Sequence, residues 1–203
     1  SGSRNQAVNF SGEKHTGRLQ RTINLTVTTN GGAKKALVVN QAAAAEVVRS
    51  DSPNASVQKT GGNVTITGKS NSTKLTFAVT PAEENGLTLQ LPANYTAAGK
   101  TTANGAVIAD DPGAASEFVW SITISNVPAN VTIEELTATL KVTAAGGQTA
   151  NVTVTQAAGD STIELDKETI NLDVNGTQQT VNVTSNDSWI WAQVAARTAL
   201  RMM

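Results

Sequence analysis

The 203-residue chain predicts an all-β protein made of repeated antiparallel β-sandwich units, and three observations carry that expectation. Thr, Val, Ala, Asn and Gly are abundant while aromatic residues make up only 3%, a balance that favours strands and tight turns over helical bundles. Apolar residues alternate with polar ones along several short runs, the period of a strand with one buried face. One alternating segment occurs twice, and repetition at a long period means a modular array.

The duplicated segment reads TINLTVTTNGGAKKALVVNQAA at 22–43 and TATLKVTAAGGQTANVTVTQAA at 137–158, aligned without a gap at an offset of 115. Leu25 matches Leu140, Val27 matches Val142, Gly31-Gly32 matches Gly146-Gly147, and Gln41 matches Gln156. Each copy predicts a hairpin: Ile, Leu and Val at a period of two face a core, and the glycines supply the positive φ of a tight turn. Residues 64–79 also resemble 181–194 if a two-residue insertion is allowed before the shared Ser-Asn at Ser70-Asn71 and Ser185-Asn186. The chain then divides into the back half of a unit at 1–44, a whole unit at 45–159, and the front half of a further unit at 160–203.

Within the whole unit, strands are expected over 63–67, 74–79, 87–91, 118–124, 137–143 and 150–156, separated by turn signals such as Gly61-Gly62, Asn85-Gly86 and Val127-Pro128. Residues 93–116, small and polar around a short apolar island at Val107-Ile108, read as a surface excursion or a binding loop. The last residues, 192–203, are rich in helix formers, with Arg197 and Arg201 one turn apart. They read as a short C-terminal docking helix or as a frayed end.

The order of these features resembles the BACON domain. The residues that carry the resemblance are Val181-Asn182-Val183-Thr184-Ser185-Asn186-Asp187-Ser188-Trp189, then Gly-Gly, then Val-Thr-Val-Thr-Gln-Ala-Ala closing at Ala158. The central unit departs from the pattern, with Lys74-Leu75 where the Trp stands. The resemblance implies an immunoglobulin-like β-sandwich, a setting in Bacteroidetes or their phages, and a carbohydrate-binding or spacer role on a virion or cell surface.

The chain carries little reactive chemistry. A formal charge of −1, from 15 basic and 16 acidic residues, argues against nucleic acid as a partner. Without cysteine there are no disulfides or thiolate metal sites. His15 is the single imidazole, on what reads as an exposed loop, and no nucleophile-elbow, zinc-protease or phosphate-loop string occurs. The acidic pairs Glu83-Glu84, Asp110-Asp111 and Glu134-Glu135 read as solvated turn charges: strand neighbours point to opposite faces, so they do not converge as a glycosidase pair must. The Asp residues show no calcium-loop spacing. The Asn-x-Thr triplets read as outward polar positions of strands. No catalytic residue, metal or cofactor is expected.

Sugar binding calls for exposed aromatic faces. Trp189 and Trp191, two apart, share one face of a strand: a core face makes them sandwich filling, a solvent face makes them a stacking platform. Tyr95, in the polar stretch, is the best single exposed aromatic, and Trp120, alternating with Phe118 and Ile122, belongs inside. No apolar run reaches the ~20 residues of a membrane span. Residues 1–6 lack the basic and apolar regions of a signal peptide, so a leader has been removed or never existed.

Half a sandwich leaves an open strand edge and a one-sided apolar face. The two terminal pieces, of 44 residues each, are complementary halves expected to pair within one chain or between chains. The expected function is therefore a non-catalytic structural or adhesive protein of a virion or bacterial surface. It would assemble through its half-domains with itself or with other proteins. The alternative is a carbohydrate-binding module using Trp189, Trp191 and Tyr95.

Overall fold

The computed structural model describes residues 5–82 and 86–193. Glu83, Glu84 and Asn85 lie outside them, as does the expected helical tail from 194 onward. The strands are β1 (Arg21–Thr28), β2 (Lys34–Gln41), β3 (Val48–Ser50), β4 (Asn54–Val57), β5 (Gly62–Ser70), β6 (Leu75–Pro81), β7 (Asn94–Ala97) and β8 (Lys100–Ala103). After a 3-10 turn at Pro112–Ala114 come β9 (Phe118–Val127), β10 (Leu136–Ala144), β11 (Thr149–Gln156), β12 (Ile163–Leu165) and β13 (Val183–Ser185). No α-helix occurs among the described residues.

The central unit places one core between two sheets, ordered β4-β11-β10-β6 and β3-β5-β9-β7-β8. Strand alternation builds that core: Leu140, Val142, Val152 and Val154 are buried from one sheet, Ile66, Trp120, Ile122 and Ile124 from the other. Phe77 on β6 meets Trp120 on β9 edge-on across the layers, with ring centroids 5.5 Å apart. The pairing is not wholly antiparallel, because β4 runs parallel to β11.

Two expected elements differ. Residues 87–91 form no strand, although their alternation is real and Leu87 and Leu89 are buried. The stretch 93–116 is no surface excursion: β7 and β8 form a hairpin whose β7 pairs with β9 through Thr96↔Ser121 and Ala97↔Trp120. Its turn is made by Ala98 and Gly99, both at positive φ, the geometry that matches strand twist in a two-residue hairpin.

The repeat holds at the level of register. Ile23↔Val39 and Leu25↔Leu37 in the first hairpin become Ala138↔Val154 and Leu140↔Val152 in the second. Val48↔Ser70 and Ser50↔Gly68 recur as Ile163↔Ser185 and Leu165↔Val183, again 115 residues on. The turn closed by Gly61 N–H to Gln58 O at 2.9 Å recurs from Gly176 to Asp173 O at 3.0 Å, with both glycines at positive φ. The two-residue insertion inferred from the valine pattern is therefore corrected: the third segment aligns without a gap. The pattern misled because Gly68 takes the place of Val183, and a methyl group there would overlap the Trp120 ring.

The terminal pieces keep this register without its burial. Leu140, Val142, Val152 and Val154 are sealed, whereas Ile23, Val27 and Leu37 are exposed. Pairing of the two ends within one chain is also corrected. β1-β2 and β12-β13 stand as separate two-stranded sheets.

Candidate functional site at the repeat junction

The polar side chains that converge in this structure do so where one unit meets the next. Asn71, at the end of β5, is fully buried. Its Oδ1 accepts from Val47 N–H at 2.8 Å, and its Nδ2 donates to Thr16 O at 3.1 Å and Ala45 O at 2.9 Å. Ser70 Oγ donates to Val47 O at 2.7 Å. One Ser-Asn dipeptide thus satisfies backbone groups of the segment leading into the preceding hairpin and of the linker behind it, groups that are expensive to bury without partners.

The same bonds recur at the second junction, each partner moved by 115. Asn186 Oδ1 accepts from Thr162 N–H at 2.8 Å, and Nδ2 donates to Val131 O at 3.0 Å and Asp160 O at 2.8 Å. Ser185 Oγ donates to Thr162 O at 2.7 Å. Gln41 and Gln156 each donate through Nε2 over 2.8 Å, to Glu13 O and Pro128 O. His15 and Asn130 are a chemically different pair in the same role: His15 Nε2 donates to Leu19 O and Asn130 Nδ2 to Glu134 O, both at 2.7 Å. The exposure assumed for His15 is corrected: it does lie in a loop, but it is 8% exposed and its imidazole closes the turn that an amide closes in the next repeat.

The first junction has additional contacts. Arg18 N–H donates to Gly113 O at 2.8 Å and Leu19 N–H to Ala114 O at 3.0 Å. The Arg18 guanidinium bridges both oxygens of Asp111, at 2.5 and 2.6 Å. Gly113 is required there, because a Cβ would overlap the Asn71 backbone carbonyl. Beside this contact lies a cleft of about 360 Å³ lined by His15, Leu19, Gln20, Arg21, Ala114 and Ala115.

The sugar candidates part company. Tyr95 is 3% exposed, which corrects its reading as an exposed aromatic. Its ring packs on Phe77 at 4.7 Å, its hydroxyl oxygen accepts from Leu75 N–H at 3.3 Å, and burial pushes the phenol's pKa up despite that bond. Trp189 and Trp191 are 44% and 53% exposed, edge to face with centroids 5.6 Å apart. Trp120 is inside, as expected.

The carboxylates serve local structure. Bonding to Lys100 holds the Asp110 pKa below the usual carboxylate value. Asp166 is lowered chiefly by the Asn182 backbone N–H, and Asp173 chiefly by the Thr177 hydroxyl. Among the described residues no group of three His, Cys, Asp or Glu is placed to hold a metal, and no helix is long and apolar enough to cross a membrane.

The sequence singled out Ser70-Asn71 and Ser185-Asn186 as shared landmarks without their bonding role. The Arg18–Asp111 pair, 93 residues apart, left no local signal.

No curated protein matches the chain. The family model described as Toastrack DUF4097 matches residues 21–189, from the first residue of β1 to beyond the last strand. The BACON resemblance is thereby overturned, and the virion and Bacteroidetes setting it implied loses its ground. Its motifs have local causes that many β proteins share: period-two valines face any core, and the closing Gln ties down a loop carbonyl. With one family description spanning every strand, this chain belongs to the Toastrack DUF4097 family.

Proposed function

We propose that this chain is a non-catalytic structural or adhesive repeat protein, built of immunoglobulin-like sandwich units and working outside the cell. One observation carries the reading: a single Ser-Asn clamp ties one unit to the next at both junctions, bond for bond at an offset of 115 residues. Junctions of this kind couple each unit to its neighbours, as in repeat arrays. Asn71→Ala is expected to speed proteolytic cleavage between residues 41 and 48 severalfold while the central unit stays folded. Unchanged cleavage overturns the proposal.

A second reading, a carbohydrate-binding module, is favoured by the exposed Trp pair alone. In the 115-residue register Trp189 and Trp191 occupy the positions of Lys74 and Thr76, both exposed in the central unit. Trp191→Ala is expected to weaken retention on a matching polysaccharide about tenfold, or about 1.4 kcal/mol. Equal retention of the two proteins removes this reading.

A further inference from the structure

Asn-Gly dipeptides occur at Asn30-Gly31, Asn85-Gly86, Asn104-Gly105 and Asn175-Gly176. Asn85 lies outside the described residues, and the other three stand in very different surroundings. We propose that Asn30-Gly31 is a site of spontaneous backbone modification, the deamidation of Asn30 through an imide, and that the fold protects Asn104 and Asn175 from the same reaction. The modification does not depend on the repeat-protein reading.

The reaction needs only the chain and water. The Gly31 nitrogen gives up its proton to hydroxide and bonds to Asn30 Cγ. The Cγ–Nδ2 bond breaks, and Nδ2 leaves as ammonia with a proton drawn from water. Water then reopens the five-membered imide at either carbonyl, leaving aspartate or isoaspartate at position 30, and nothing is oxidised or reduced. Two conditions set the rate: the glycine N–H must not be held by an acceptor, and the side-chain amide must be free to swing over it. Glycine favours the attack because no Cβ shields its nitrogen.

Asn104 fails both conditions. Its Oδ1 accepts from Phe77 N–H at 2.8 Å and its Nδ2 donates to Phe77 O at 3.0 Å, so the amide is clamped to β6, and Gly105 N–H donates to Leu75 O at 3.0 Å. Asn175 fails the first, since Gly176 N–H donates to Asp173 O at 3.0 Å. The Asp173 carboxylate, which accepts from the N–H groups of Asn175 and Thr177 at 3.0 Å each, adds negative charge beside a nitrogen that would have to become anionic.

Asn30-Gly31 meets both conditions. The turn closes around the dipeptide: Gly32 N–H donates to Thr29 O and Thr29 N–H to Ala33 O, both at 2.9 Å, and Ala33 N–H to Thr29 Oγ1 at 3.0 Å. Among the described residues neither Gly31 N–H nor the Asn30 amide has a hydrogen-bond partner, and both residues are exposed. Lys34 and Lys35, the nearest charges along the chain, favour an ionised nitrogen. Exposure belongs to this turn and not to the open hairpin around it. In the sealed central unit the counterparts Ala145 and Gly146 are exposed as well, under the same closure of Gly147 N–H on Ala144 O at 3.0 Å. Alanine in place of asparagine exempts that copy, so one turn of the repeat is reactive and the other inert.

Full-length protein held at mildly alkaline pH and sampled by peptide mapping with mass spectrometry reads each dipeptide separately. In the folded protein Asn30 is expected to convert about tenfold faster than Asn104 or Asn175, a barrier difference of about 1.4 kcal/mol, and in urea the three rates are expected to converge. Gly31→Ala is the control. No atom lies within 4 Å of the methyl it adds and Gly31 is not at positive φ, so the fold is kept while the nitrogen is shielded. Conversion of Asn30 in that variant is expected to fall about tenfold. Equal rates at the three sites in the folded protein, or an Asn30 that stays intact while the urea sample reacts, overturn the proposal. Conversion of Asn30 that is indifferent to Gly31→Ala overturns it too, because attack by the glycine nitrogen is then not the route.

Discussion

Trp120→Ala is expected to lower the unfolding free energy by about 3–5 kcal/mol, the range for an aromatic truncated to alanine in a packed core. Trp120 is fully buried on β9, opposite Gly68 of β5 in the ladder and edge-on to Phe77 of β6. The indole therefore fills space claimed by both sheets, and the cavity it leaves has rigid walls that collapse poorly. Its Nε1 has no hydrogen-bond partner among the described residues, so the loss is one of packing. Gly68→Ala should destabilise from the other side, since the new methyl would overlap both the indole and the Arg49 carbonyl. Urea unfolding followed by far-UV circular dichroism measures both variants. A loss below about 1 kcal/mol for Trp120→Ala would show that the two sheets do not share this core.

Asn71→Ala and Asn186→Ala remove the same set of hydrogen bonds from two different environments. At Asn71 the side-chain amide is fully buried while its partners lie in half-buried or exposed segments, and the variant leaves Val47 N–H and the Thr16 and Ala45 carbonyls without that partner. Buried groups left unsatisfied cost about 1–3 kcal/mol each before relaxation, so a loss of about 3 kcal/mol is expected in whole-chain unfolding. At Asn186 the bonds lie at the surface and water replaces them, so the expected loss is about 1 kcal/mol or less. Its signature is local instead: amide exchange at Thr162 and proteolysis within 160–193 should both quicken while the central unit is unchanged. Equal global losses from the two substitutions would contradict the difference in burial on which this rests.

What the sequence determined by itself was local in origin. Alternation along a strand names the inward residues, and Gly-Gly marks the turn between two such strands, so both hairpins and their 115-residue spacing were legible, as was Trp120 in the core. Partners far apart in the chain were not. Tyr95 in a stretch of Thr, Ala and Gly gives no sign that the stretch folds back on β9, and only the packed sheet turns an exposed aromatic into core. His15 reads as an exposed loop residue, and only the packed structure shows it buried in that loop, making the bond that Asn130 makes one repeat later. The valine pattern suggested an insertion because Gly68 yields to an indole 52 positions away, and the BACON likeness followed strand periodicity that many β folds share. Periodicity belongs to a segment and is written in it; burial and hydrogen bonding belong to pairs of segments, and tertiary structure alone brings those pairs together.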